Sequence, residues 1–172
     1  MSASPDDAGP AQHVERWVQA VVVRLNLCPF AAAPLRQGRV RFVESRGEVR
    51  PDVLEELLDE IELLDADVAA TTLLVLPRHF SDFAEFLELV ADAEELLEAV
   101  GRESDYQVAS FHPDYVFADT PADDPANATN RAPFPTLHLL RCADVAHAIE
   151  QHPDTESIPQ RNVALLRRLA AG

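Results

Sequence analysis

Thr71-Thr72-Leu73-Leu74-Val75-Leu76 is β-branched and apolar throughout, with no alternation of polar and apolar positions. A strand with one wet face alternates, whereas a strand covered on both faces is a continuous apolar run. The stretch therefore predicts a buried strand between two layers of helix. The segments beside it supply such helices. Pro51 opens a helix with Leu54, Leu57, Leu58, Ile61 and Leu64 on one face, and Phe83, Phe86, Leu87, Val90 and Leu97 form the apolar face of another. Ser81 is the predicted N-cap of that second helix, with Glu85 just beyond the capping-box position.

Further out, Arg39–Glu44, Tyr106–Phe111 and Thr136–Leu140 have the composition of strands. Val14, Trp17, Val18, Val21, Val22 and Leu25 recur with helical spacing, and Pro29 suits the first position of a short second helix. Cys142–Gln151 and Ile158–Ala170 close the chain as helices. Strands alternating with helices imply crossover connections. The expected fold class is α/β: a single domain over residues 11–172, with a mainly parallel four-stranded sheet, flanking helices and one long functional loop. Three strands are expected to join through helical crossovers, with the fourth added antiparallel. Residues 1–10, small and acidic, are expected to form a disordered tail.

The chain has 172 residues and a formal net charge of −16. That charge argues against nucleic acid and against anionic membrane surfaces, since both require a cationic face. No signal-peptide pattern is present and no apolar run is long enough to span a bilayer, so a cytoplasmic location is expected, with both cysteines reduced. All 14 basic residues are arginine. Without lysine there is no Schiff-base chemistry, including that of pyridoxal phosphate, and no P-loop lysine. With five glycines and no GxGxxG, a nicotinamide dinucleotide is not expected.

Pro113 to Pro135 has weak signals for helix or strand, yet it carries Tyr115, Phe117 and Phe134 and is stiffened by several prolines. A long irregular connection in a compact fold either binds something or is disordered. Its aromatics favour an ordered, functional loop. The polar groups here are dense: His112, Asp114, Asp119, Asp123, Asp124, Asn127, Asn130 and Arg131, with His138 in the next strand. If the flanking strands pair antiparallel, His112 and His138 lie a few residues apart across the ladder. His112, His138 and Asp114 then become candidate ligands for a divalent metal, and the histidines equally suit acid–base catalysis. Each histidine could instead be a hydrogen-bonded core residue. Asn130, Arg131 and Tyr115 are candidate ligand-binding residues; the Arg131 guanidinium could fork a carboxylate or phosphate, or bridge to Asp123 or Asp124.

Cys28 stands apart. At the start of a helix begun by Pro29 its thiolate would be favoured, making it a candidate nucleophile, with Arg36 in support. Alternatively it is a small buried hydrophobe.

Leu25-Asn26-Leu27-Cys28-Pro29-Phe30-Ala31, Ser110-Phe111-His112-Pro113-Asp114-Tyr115-Val116-Phe117-Ala118-Asp119-Thr120, and the segment from Asn127 to Arg141 resemble three signatures of the family known as domain of unknown function 1415. The resemblance spans nearly the whole chain and implies no activity. Two functions are expected from the residues: a small-molecule enzyme, with or without a metal, whose site joins Cys28 to the His112–Arg141 segment, or a non-catalytic ligand-binding or accessory protein. Either would take a small polar or anionic ligand. One site requires Cys28 and His112 on the same side of the sheet, at the carboxyl ends of its strands.

Overall fold

In the computed structural model, which describes residues 8–152 and 154–172, the run at Thr71 is the innermost strand. Its hydrogen-bonded part, β2, is Thr71–Val75, and every residue in it is buried. The other strands are β1 (Val40–Glu44), β3 (Tyr106–Phe111) and β4 (Thr136–Arg141), and the sheet order is β1-β2-β4-β3. β1 pairs parallel with β2, while β4 runs antiparallel to both β2 and β3.

The sheet is therefore mixed, which corrects the expectation of a mainly parallel one. The antiparallel fourth strand enters the middle of the sheet, separating β2 from β3. Apolarity accounts for its position. Leu137 and Leu139 of β4 are fully enclosed and Thr136 has no exposure, whereas β3 buries only Tyr106 completely. The more apolar strand takes the covered place and the more amphipathic one becomes an edge.

Side chains alternate across the sheet. One face receives α3 (Arg50–Asp65) and α4 (Phe83–Ala99): Leu57, Ile61 and Leu64 with Ala93 and Leu97 pack on Leu139, while Phe86 and Leu89 pack on Leu74 and Leu137. The other face receives α1 (Pro10–Trp17) and a π-helical turn, Val18–Val23, whose Val14 and Val18 meet Leu73, Val75, Phe42 and Phe111. Residues 1–7 of the expected tail lie outside the described residues, and Pro10 belongs to α1. The α4 cap falls one residue later than expected: Asp82 accepts from the Glu85 amide at 2.9 Å, so Glu85 occupies the third helical position.

The α3 face also holds a charge. Glu60, buried, accepts both Arg41 nitrogens at 2.9 Å and the Thr72 hydroxyl at 2.9 Å. Pairing and full hydrogen bonding make such a buried carboxylate tolerable. Beyond β4 come α5 (Cys142–Gln151) and α6 (Ile158–Ala171), the latter packed against the 3-10 turn Pro125–Asn130. Among the described residues no helix is long and apolar enough to cross a membrane.

Candidate functional site

The connection from β3 to β4 is ordered by its own polar side chains. A long irregular segment leaves many backbone groups without ladder partners, and these must be satisfied locally. Asn127, with no exposure, accepts the Phe117 amide at 3.0 Å and donates to the Pro121 carbonyl at 2.8 Å. Asn130 donates to the Ser110 carbonyl, and its own carbonyl accepts the His112 amide. Arg131 donates from Nε to the Tyr115 carbonyl at 3.0 Å and from Nη2 to the Ala122 carbonyl at 2.8 Å. The Tyr115 ring, half-buried, packs on Phe83 and Phe117.

Arg131 thus bridges neither Asp123 nor Asp124. Asp124 is engaged by Arg167 at 2.6 Å and caps the 3-10 turn through the Ala126 amide; the Arg167 guanidinium holds its carboxyl below the usual range. Two of the three candidate binding residues, Asn130 and Arg131, spend their donors on carbonyls of the loop or its strand.

His112 and His138 sit on opposite faces of the sheet, which corrects their expected convergence. Registers explain it: Phe111 pairs with Thr136 and Ala109 with His138, so His112 projects to the face away from His138. The His112 ring has no exposure and lies between Phe83 and Phe86 of α4, with ring centroids 5.1 Å from each. Its Nδ1 accepts the Asp114 amide at 3.0 Å, so the proton is on Nε2, which donates to the Phe80 carbonyl at 3.0 Å. Phe80 has φ +65°, a left-handed conformation unusual for a bulky residue, and His112 holds it there.

His138 faces the α1 side, near Phe111. The Thr71 hydroxyl gives its proton to the Leu139 carbonyl at 2.6 Å and so accepts from His138 Nε2 at 2.8 Å. Desolvation lowers the His138 pKa to about 4, so the ring is neutral at physiological pH. Asp114 meets His112 through its amide, not its carboxylate. Among the described residues no group of three or more His, Cys, Asp or Glu side chains gathers as a metal would require.

Cys28 is also placed differently from expectation. Residues 28–31 form a turn and the next helix, α2 (Ala32–Arg36), begins only at Ala32, so Pro29 does not open a helix at the sulfur. The turn follows Asn26, at φ +52°, and is pinned to α6 where Asn162 donates to the Leu27 carbonyl at 2.7 Å. Burial pushes the Cys28 thiol up, outweighing the amides of Phe30 and Ala31 that favour the thiolate. Cys28 is thus tied to α6 after the α1-side helix, while the His112 ring belongs to the α4 side. α6 in turn packs against the Pro125–Asn130 turn, whose Asn130 carbonyl accepts the His112 amide.

The open polar site lies at the carboxyl ends of β1 and β2. A cavity of about 510 Å³ is lined by Arg41 through Arg46, Pro77 and Arg78. Arg41 is taken by Glu60. Ser45 donates to Glu56, and Glu44 accepts the Ala11 amide at 3.0 Å. Arg46 and Arg78 are exposed, and among the described residues their guanidinium groups have no hydrogen bond or ion pair. Their backbones are fixed nonetheless. The Arg46 amide donates to Glu56 at 2.8 Å, and Arg78 stands two residues before Phe80, which His112 anchors. Sequence reasoning missed both arginines. The available signal was position: each lies within three residues of the end of a strand of the parallel pair β1–β2, where open α/β sheets bind ligands.

Fold and site together define a mixed α/β protein of four strands, with a cationic cleft at the ends of its parallel pair. The chain belongs to the family described as Protein of unknown function (DUF1415), whose model matches residues 10–172. No curated protein and no solved structure matches it.

Proposed function

We propose that this chain is a non-catalytic binding protein for a ligand bearing a carboxylate or phosphate, held between Arg46 and Arg78. The observation that carries this reading is two exposed, unpaired guanidinium groups on one cavity of a chain with net charge −16. In so acidic a protein, arginines are readily neutralised by neighbouring carboxylates, as Arg50, Arg102 and Arg167 are. Arg46 and Arg78, open among the described residues and lining one cavity on fixed backbone, form a pre-arranged receptor for an anion.

The groups expected to perform catalysis support binding over reaction. Cys28 is held as a thiol, the His112 ring has both nitrogens engaged, and His138 is held neutral. Thermal-shift titration with inorganic phosphate and with succinate tests the proposal. Wild type should be stabilised by at least one of them, and the Arg46→Gln/Arg78→Gln double variant should respond to neither. An equal response in both proteins, or no response in wild type, removes the reading.

A further inference from the structure

The same cavity is walled by a strand edge, and this identifies the form of the ligand. The Ser45 amide donates to the Val75 carbonyl at 2.7 Å and the Arg39 carbonyl accepts the Ala70 amide at 2.8 Å. The odd-numbered residues of this segment therefore turn their backbone groups toward β2. By alternation, the amides and carbonyls of Val40, Phe42 and Glu44 point away from the sheet. β1 is an edge strand, and among the described residues these outward groups have no backbone partner. Phe42, Glu44, Arg46 and Arg78 all line the cavity.

Resting on the anion-binding reading above, we propose that the ligand is the carboxyl-terminal segment of a polypeptide, added to the sheet as a strand parallel to β1. Charge fixes its direction. Arg46 follows β1 and Arg78 follows β2, so both cations stand at the carboxyl end of the parallel pair. A segment added parallel to β1 brings its terminal carboxylate to them. An antiparallel segment in the same register brings the opposite chain direction, and a free amino terminus there would be repelled. The strand edge supplies main-chain hydrogen bonds and the arginines select a chain end. This is strand addition combined with carboxylate capture. The guanidinium forks match a carboxylate in geometry as well as charge.

The experiment uses a degenerate pool of pentapeptides with free carboxyl termini, its length matched to the five residues of β1. The pool is passed over the immobilised full chain, and a retained sequence is then labelled at its amino end for fluorescence anisotropy. Three losses are expected: C-terminal amidation and Arg78→Gln should each weaken binding about tenfold, the value of one charge-assisted hydrogen bond, and backbone N-methylation of the peptide should abolish it. Circular dichroism establishes that the exposed Arg78→Gln variant is folded. An amidated or N-methylated peptide binding as tightly as the parent overturns the proposal. So does a pool from which nothing is retained. If inorganic phosphate still binds in an Arg78-dependent way, only strand addition falls and the anion site stands; if phosphate also fails to bind, both fall.

Discussion

Arg78 and Arg131 stand in loops that leave the carboxyl ends of β2 and β3, two strands of one sheet, and their circumstances are opposite. Arg131 lies in the long connection between β3 and β4 and gives its donors to two carbonyls of that connection. Arg78 lies in the short link between β2 and α4 and gives its side chain to nothing among the described residues. The difference follows from the backbone. An irregular stretch as long as 112–135 has many amides and carbonyls outside any ladder, and its asparagines, histidine and arginine satisfy them. The short link has little of this to do. A high density of polar side chains in a long loop thus measures how much backbone needs partners. Availability for a ligand is a separate property, and here it belongs to the short loops.

The sharpest way to break this comparison is His112→Ala. The change empties a fully enclosed ring position and leaves the Phe80 carbonyl and the Asp114 amide without their partner. It should cost about 3–5 kcal/mol in urea denaturation. A cost under about 1 kcal/mol would mean that the imidazole is not what fixes the loop.

A smaller effect is expected from pH. The folded pKa of His138, about 4, lies below its ordinary 6.5, so the unfolded chain takes up the proton first on acidification. The stabilisation is complete above about pH 6.5 and is lost as the pH falls toward 4. Between pH 7.5 and pH 5 this amounts to about 2 kcal/mol, and His138→Gln should flatten the dependence in that window. Asp65, Asp67 and Asp124 have carboxyls held below 3.8 by arginine partners, so their losses come at lower pH and do not overlap. A slope between pH 6.5 and 5 that persists in His138→Gln would assign it elsewhere.

The smallest effects compare the two arginines directly. Arg131→Lys keeps the charge but cannot reach both carbonyls with fixed geometry, and should lose about 1 kcal/mol while leaving phosphate binding unchanged. Arg78→Gln should stay within about 0.5 kcal/mol of wild type and lose the phosphate response. The reverse pattern, a stable Arg131→Lys that no longer binds phosphate, would return the anion site to the long loop.

How far the sequence disclosed this molecule depended on whether the information was local. β2 was legible because a strand covered on both faces has a distinctive composition, and β3 and α5 were read with their observed limits. The valine-rich helix near the amino terminus was read as continuous to Leu25. Its α-helical part ends at Trp17 and continues as a π-turn, a change that apolar spacing over so short a run does not reveal. The sheet order escaped because it depends on competition between β3 and β4 for a covered position. The sequence left the pairing of β3 with β4 as a condition; the two strands do pair antiparallel, and the facing of His112 and His138 required their register. Asn127, Asn130 and Arg131 were visible as a dense polar group, but their partners are backbone carbonyls and amides, which are present everywhere in a sequence. Arg46 and Arg78 were invisible because what distinguishes them is that they line one cavity, a property of space.

The insertion of β4 between β2 and β3 has a consequence for synthesis on the ribosome. Chains emerge from the amino end, so β1, β2 and their helices are available before β4 exists. Until residues 136–141 arrive, the inner margin of β2 has no strand to pair with, and β3 can attach to the sheet only through β4. The nascent protein therefore carries an open strand margin of unpaired N–H and C=O groups across the translation of about sixty residues, the separation between β2 and its second neighbour. A ribosome-tethered chain halted before Thr136 should bind a holdase chaperone, and one released after Arg141 should let it go.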